Sequence, residues 1–124
     1  MIEHFIIGGA YQGKSDFAKH LCPEGTVLDC KTDSLDDLNQ SKIVLNLEEA
    51  VRILLNQGKD PVSLLPALLD GKIVTGREVG CGVVPISAEE RLFRDETGST
   101  YQALYQNAKQ ITRMFCGIAQ TIKE

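Results

Sequence analysis

The sequence predicts an α/β fold of three layers, with helices covering both faces of a mainly parallel sheet of about five strands. Short apolar runs bounded by glycine or polar residues carry this reading: HFIIGG (4–9), TVLD (26–29), SKIVLN (41–46), GKIVTG (71–76) and ITRMFCG (111–117). Stretches of helical periodicity lie between them. Strand followed by helix, repeated, is the order that gives parallel pairing with helical crossovers. A chain of 124 residues is long enough to bury a core, and it contains no internal repeat or linker. One domain over 1–124 is expected.

Each element has a local reason. The first run stops at Gly8 and Gly9, and a helix over 13–21 follows, with Phe17, Ala18 and Leu21 at helical spacing. Acidic residues crowd DCKTDSLDDLNQS (29–41), where Ser34 starts a short helix and Asp33, Asp36 and Asp37 form either a wetted surface or a metal site. A helix over 47–57 ends near Gly58, and one over 61–69 opens on Pro61, whose missing donor costs nothing in a first turn. Gly58 and Gly71 suit helix ends because they accept positive φ. Ser87-Ala88-Glu89-Glu90 reads as a capping box at the start of a long helix over 87–109. Gly98 falls inside it, so a kink or break is expected there.

Composition removes several classes of function. A net charge of -4 supplies no dense basic face, so no nucleic-acid partner is expected. No apolar run approaches the roughly 18 residues of a membrane span. The N-terminal MIEHFIIGG carries an acid where a secretion signal carries positive charge, which predicts a cytoplasmic protein. Cys22, Cys30, Cys81 and Cys116 are widely spaced without a C-x-x-C pair, and read as buried or half-buried packing residues.

The candidate site is the opening loop. Gly8, Gly9, Ala10, Tyr11, Gln12, Gly13, Lys14 and Ser15 fit G-x-x-x-x-G-K-[ST], the phosphate-binding P-loop, between a predicted strand and a predicted helix. The glycines let successive backbone N–H groups converge on one anion, and the helix adds the positive end of its dipole. Lys14 would neutralise the β- and γ-phosphates of ATP or GTP, and the Ser15 hydroxyl would bind Mg2+. The fold expected is therefore P-loop NTPase-like. The metal also needs a carboxylate, for which Asp29, ending TVLD, and Glu78, just past KIVTG, are the candidates. Glu78 either assists the metal or braces the glycine-rich turn after it, and Asp29 has the plainer reading of a strand-end residue.

Three blocks, in order, resemble one family. GGAYQGKS (8–15), EVGCGVVP (78–85) and FRDETGSTYQ (93–102) with MFCGI (114–118) beyond it are similar to motifs of the adenosylcobinamide kinase/adenosylcobinamide-phosphate guanylyltransferase family of cobalamin biosynthesis. The resemblance implies phosphoryl transfer from ATP or GTP to the hydroxyl of adenosylcobinamide, with Lys14 and Glu78 or Asp29 as catalytic residues, and a homo-oligomer. It also exposes departures. The span between the loop and EVG is short, and the only histidines are His4 and His20, neither placed where the family's guanylylated histidine belongs. Asn46 stands where the family tends to place an acid, Tyr11 and Gln12 replace Arg-Ser, and Tyr101 replaces Asn. Guanylyl transfer is expected to be absent. The competing reading is a nucleotide-binding or regulatory protein of the same fold with reduced catalysis. Arg91 and Arg94 either contact phosphate or substrate, or pair with neighbouring acids at helical spacing. Phe93, Tyr101, Leu104 and Tyr105 read as packing.

Overall fold

The computed structural model describes residues 1–9, 13–78 and 87–124. Ala10, Tyr11 and Gln12 of the loop, and the Val79–Pro85 part of the EVG block with Cys81, lie outside the described residues. Among the described residues the order is β1 (Ile2–Gly8), α1 (Lys14–Leu21), β2 (Val27–Asp29), a 3-10 helix (Leu35–Gln40), β3 (Ile43–Leu45), α2 (Leu47–Asn56), α3 (Pro61–Leu68), β4 (Ile73–Arg77), α4 (Ala88–Gln106), β5 (Ala108–Phe115) and β6 (Ile118–Lys123). The strands form one sheet in the order β2-β3-β4-β1-β5-β6, parallel except for β6 against β5. β1 is central, with β4 on one side and β5 on the other.

Alternation along the buried strands sends side chains to two cores. Phe5, Ile7, Val44, Val74 and Ile111 face α2, α3 and α4, where Leu54, Leu65, Leu69, Tyr101 and Leu104 meet them. Ile6, Ile43, Leu45, Ile73 and Met114 face the other way, onto Ala18 of α1 with Phe17 beside it. Helices on both faces complete the expected three layers. Each fully buried large side chain contributes roughly 1.5–3 kcal/mol of transfer free energy, and both faces of β1, β3 and β4 are filled with them. Apolar residues at consecutive positions in these strands are the signature of a sheet covered on both sides.

Local chemistry sets the boundaries much as expected. Asp60 caps α3, its carboxylate accepting from the N–H of Val62, and Pro61 occupies the first turn. Ser34 caps the 3-10 helix by accepting from Asp36 N. Gly58 and Gly71 take φ of 71° and 74° after their helices. Ser87 accepts from Glu90 N at 3.1 Å, but the Glu90 carboxylate lies 3.5 Å from Arg52, so only half of the capping box forms.

Three expectations are corrected. α4 runs unbroken through Gly98. It ends at Gln106, and β5 starts at Ala108 rather than Ile111, because Ala108 is in register with Ile2 at the foot of the central strand. Most visibly, the segment after MFCG returns as β6. Its turn holds Cys116 at φ 50° and Gly117 at φ 76°, the pair of positive values that a tight two-residue hairpin requires. Cys116 is exposed there and Cys22 half-buried, while Cys30 is buried. Burial, reinforced by nearby Asp29, pushes the Cys30 thiol up to about 12.

Candidate functional site

The site lies where β1 leaves the sheet. Gly8, its last residue, is in register with Arg77 of β4 and Met114 of β5. A Cβ on Gly8 would stand 2.6 Å from the Met114 carbonyl oxygen, so only glycine lets the three strands converge here. At the far end of the loop Gly13 caps α1 in the left-handed conformation, φ 88° and ψ 15°. Its carbonyl accepts the first helical bond, from Phe17 N at 3.0 Å.

Lys14 opens α1 yet is 9% exposed, and its ammonium donates to the Gly9 carbonyl at 2.6 Å. The cation thus bridges the two ends of the loop. Burial draws its pKa below the ordinary lysine value. Glu48 opposes that shift, Arg77 adds to it and Glu78 opposes it. Ser15 follows in the first turn of α1 and is half-buried. A buried ammonium beside the N-terminus of an eight-residue helix concentrates positive potential on one spot.

Residues past the ends of the neighbouring strands complete the rim. Glu78 N donates to Gly8 O at 2.9 Å, holding the end of β4 against the start of the loop. The Glu78 carboxylate is gripped by Arg113 of β5, with Nε at 2.8 Å from Oε1 and a terminal nitrogen at 3.2 Å from Oε2. A two-point grip of this kind fixes carboxylate orientation as well as charge. Glu48, in the first turn of α2, is 8% exposed and its Oε1 accepts from Arg77 N at 2.9 Å. Tyr101 of α4 reaches the same corner, its hydroxyl donating to Arg77 O at 2.9 Å. Burial raises that phenol well above its ordinary pKa, with Glu48 next in effect.

Asp29 is placed elsewhere. β2 is separated from β1 by β3 and β4, three strand spacings or roughly 14 Å. Its Oδ1 accepts from Asn46 Nδ2 at 2.8 Å and from Lys31 N at 3.0 Å, and Asp33 Oδ2 accepts from Asp29 N at 2.8 Å. Asn46 caps α2 with φ 60°, a conformation asparagine tolerates better than most residues, and its N–H donates to Thr75 Oγ1 at 3.0 Å. The structure therefore brings Lys14 and Glu78 together and leaves Asp29 tied to Asn46.

Sequence reasoning passed over Glu48 and Arg113. Glu48 sits in an ordinary acidic first turn, and Arg113 interrupts an apolar strand. The second was a usable signal, since a guanidinium in the middle of a strand that flanks a glycine loop needs a partner at the strand end. Of the histidines, His4 is buried with Nε2 2.6 Å from Thr112 Oγ1, and His20 is exposed on α1. Phe93 lies under the Arg52 guanidinium at 3.9 Å, while Tyr101 and Leu104 pack in the core.

A mainly parallel sheet between helical layers, with the central strand leading through a glycine loop into a helix, defines an α/β protein of the P-loop NTPase-like class. Comparison with protein families narrows the class. The chain belongs to the cobinamide kinase / cobinamide phosphate guanyltransferase family, whose model matches residues 24–122. The matched span begins beyond the glycine loop and takes in Glu48, Glu78 and Arg113. The family's role lies in cobalamin biosynthesis, and its chemistry uses a nucleoside triphosphate. Comparison with curated protein sequences gave no match. Among the described residues, no helix is long and apolar enough to cross a membrane.

Proposed function

We propose that the chain is a single nucleotide-binding unit that transfers the γ-phosphate of ATP or GTP to the hydroxyl of adenosylcobinamide. One observation carries the reading: the Lys14 ammonium, buried at the N-terminus of α1 and held on Gly9 O. A buried cation with a backbone carbonyl as its hydrogen-bond acceptor is ready to exchange that contact for a phosphate oxygen. Phosphoryl transfer asks little covalent chemistry of a protein, so positioning and charge neutralisation do most of the work. The N–H groups opening α1 would hold the β- and γ-phosphates, and Lys14 would offset charge as the bond to the leaving diphosphate breaks. The acceptor hydroxyl oxygen attacks the γ-phosphorus, and its proton passes to Glu78 or to solvent.

The residues present fit Mg2+, a hard cation that prefers oxygen ligands. Ser15 and a carboxylate at the strand ends would hold it, and it would neutralise the bridging phosphate oxygens. His4 is engaged with Thr112 inside the sheet, which supports phosphorylation without guanylyl transfer through a histidine. The same cation that grips Glu78 supports a second reading, a regulatory nucleotide-binding protein in which Arg113 keeps that carboxylate from the metal. Nucleotide binding by calorimetry with no turnover of any cobinamide would select it.

Lys14→Ala tests the shared premise. A hydrogen bond to a charged group is worth about 1.5–3 kcal/mol, and each 1.4 kcal/mol is tenfold in affinity. Calorimetry should therefore show triphosphate binding weakened by roughly ten- to hundredfold. Unchanged affinity would remove the loop as the phosphate site.

A further inference from the structure

The two edges of the sheet differ in how they meet solvent. β2 forms one of them with three residues ending on Asp29, and a short edge strand that ends in a charge discourages further pairing. β6 forms the other with six, and from Ile118 to Ile122 it carries neither a charge nor a proline. Its one irregularity against β5, the shift between Ile111 and Thr112, falls at the foot of the strand. Ala119, Gln120 and Thr121 pair regularly with β5 and are exposed.

The hairpin decides which backbone groups are open. Phe115 and Ile118 flank its two-residue turn, so they form a hydrogen-bonded pair. Alternation then points the N–H and C=O of Gln120 at β5, and those of Ala119 and Thr121 away from the sheet. Side chains are sorted by the same rule. Ile111 lies in the core beside α4, which puts Phe115, four residues on, on that face, and Ile118 opposite it. Ile122 reaches the face too, where with Ile7, Tyr105 and Ile111 it lines an apolar groove of about 500 Å3. Lys123 fastens the foot of β6 to α4 by donating to Tyr105 O at 3.0 Å. Phe115, Ile118 and Ile122 nevertheless stay 63%, 70% and 53% exposed.

A strand pairs with its own copy across a two-fold axis only where its surface is self-complementary, and β6 meets that condition in one register. Antiparallel pairing centred on Gln120 sets Ala119 of one copy against Thr121 of the other, the two residues whose backbone groups point outward. It sets Ile118 against Ile122, so that the exposed isoleucine closes the open side of the groove. Gln120 meets Gln120, amide to amide, and no like charges meet, because Lys123 falls opposite Gly117. Moving the centre to Thr121 would oppose Ile118 to Glu124, and moving it to Ala119 would oppose Ile118 to Gln120. We propose that two copies of this chain join through β6, antiparallel about Gln120, so that the sheet of one continues into the sheet of the other. The pairing does not depend on what the glycine loop binds.

Sedimentation equilibrium and light scattering of the full chain read the assembly directly. The expected mass is twice the 13.6 kDa of one chain. Ile118→Lys sets a charge against Ile122 of the other copy and should return the mass to one chain, with an unchanged far-UV spectrum because Ile118 is exposed. Cysteine substitution in a Cys116→Ser background checks the register. Residues facing each other as a non-hydrogen-bonded pair have Cα atoms about 4.5 Å apart, within disulfide reach, so Gln120→Cys should cross-link two chains on oxidation and Thr121→Cys should not. The mass of one chain at every concentration, a mass of three or more chains, or cross-linking through Thr121→Cys in place of Gln120→Cys would each overturn the proposal, as would a folded Ile118→Lys that keeps the double mass. Should Ile118→Lys lose its fold, the cross-linking result decides alone.

Discussion

Gly76 shows how much a single residue decides at this corner. It lies in β4 under Tyr101, where a Cβ would approach the tyrosine hydroxyl to 2.5 Å and its ring carbon to 2.9 Å. The ring cannot retreat freely, because it stacks edge-on against Phe5 at 5.2 Å and its hydroxyl donates to Arg77 O. Gly76→Ala should therefore cost about 1–3 kcal/mol, the usual range for overpacking. The urea midpoint should fall with an unchanged slope. A midpoint equal to wild type would show that Tyr101 has room to move. Glycine at this position was legible as a residue type, but its reason was not, since the residue that needs the space comes from α4 and is distant in sequence. Gly8 is the opposite case: the motif predicted a glycine, and the Met114 carbonyl explains it.

Among the elements, α4 gives the clearest conflict between propensity and packing. Gly98 weakens a helix interior locally, yet the helix passes through it, held by Thr97, Thr100, Tyr101 and Leu104, all buried. Nothing lies within 4 Å of a Cβ placed on Gly98. Gly98→Ala should accordingly raise stability by about 0.5–1 kcal/mol, read as a higher melting temperature with an unchanged far-UV spectrum. A lower melting temperature would show that the helix needs the glycine. β6 is the complementary lesson. Its side chains are nearly all exposed, so no apolar alternation marked it as a strand, and Cys-Gly is not a pair that announces a hairpin. β5 supplies the reason for it to form, by offering an open edge on the side away from β1.

On the scale of the whole molecule, acid sensitivity is built into the sheet. His4 sits in β1 against Thr112, with the Phe17 ring at 5.9 Å on the α1 side. Burial lowers its pKa from 6.5, while neighbouring Gln110, in register with it on β5, and the charge of Glu3 pull the other way. The unfolded chain therefore binds a proton at higher pH than the folded one, and stability rises with pH through that window. Melting temperature should fall between about pH 7.5 and pH 5.5, and His4→Gln should flatten that part of the profile. The depressed pKa of Glu3, caused first by its bond to Lys42, acts only further down, below 4.5. An identical slope in His4→Gln would place the acid-sensitive group elsewhere.

The sequence by itself determined the layers, the parallel core strands and the glycine loop before α1. These follow from short-range patterns: apolar runs of strand length, helical spacing, caps and the conformational freedom of glycine. It also determined the family, because the residues that carry the resemblance are contiguous blocks. Only the tertiary structure decided which acids stand near Lys14. Asp29 and Glu78 look alike as strand-end carboxylates, but strand order puts one three strands away and the other against Gly8. Glu48 and Arg113 acquire their meaning the same way. Electrostatic partnership depends on distance in space, and strand order, which sets that distance, arises from the packing of the entire sheet and not from any one segment.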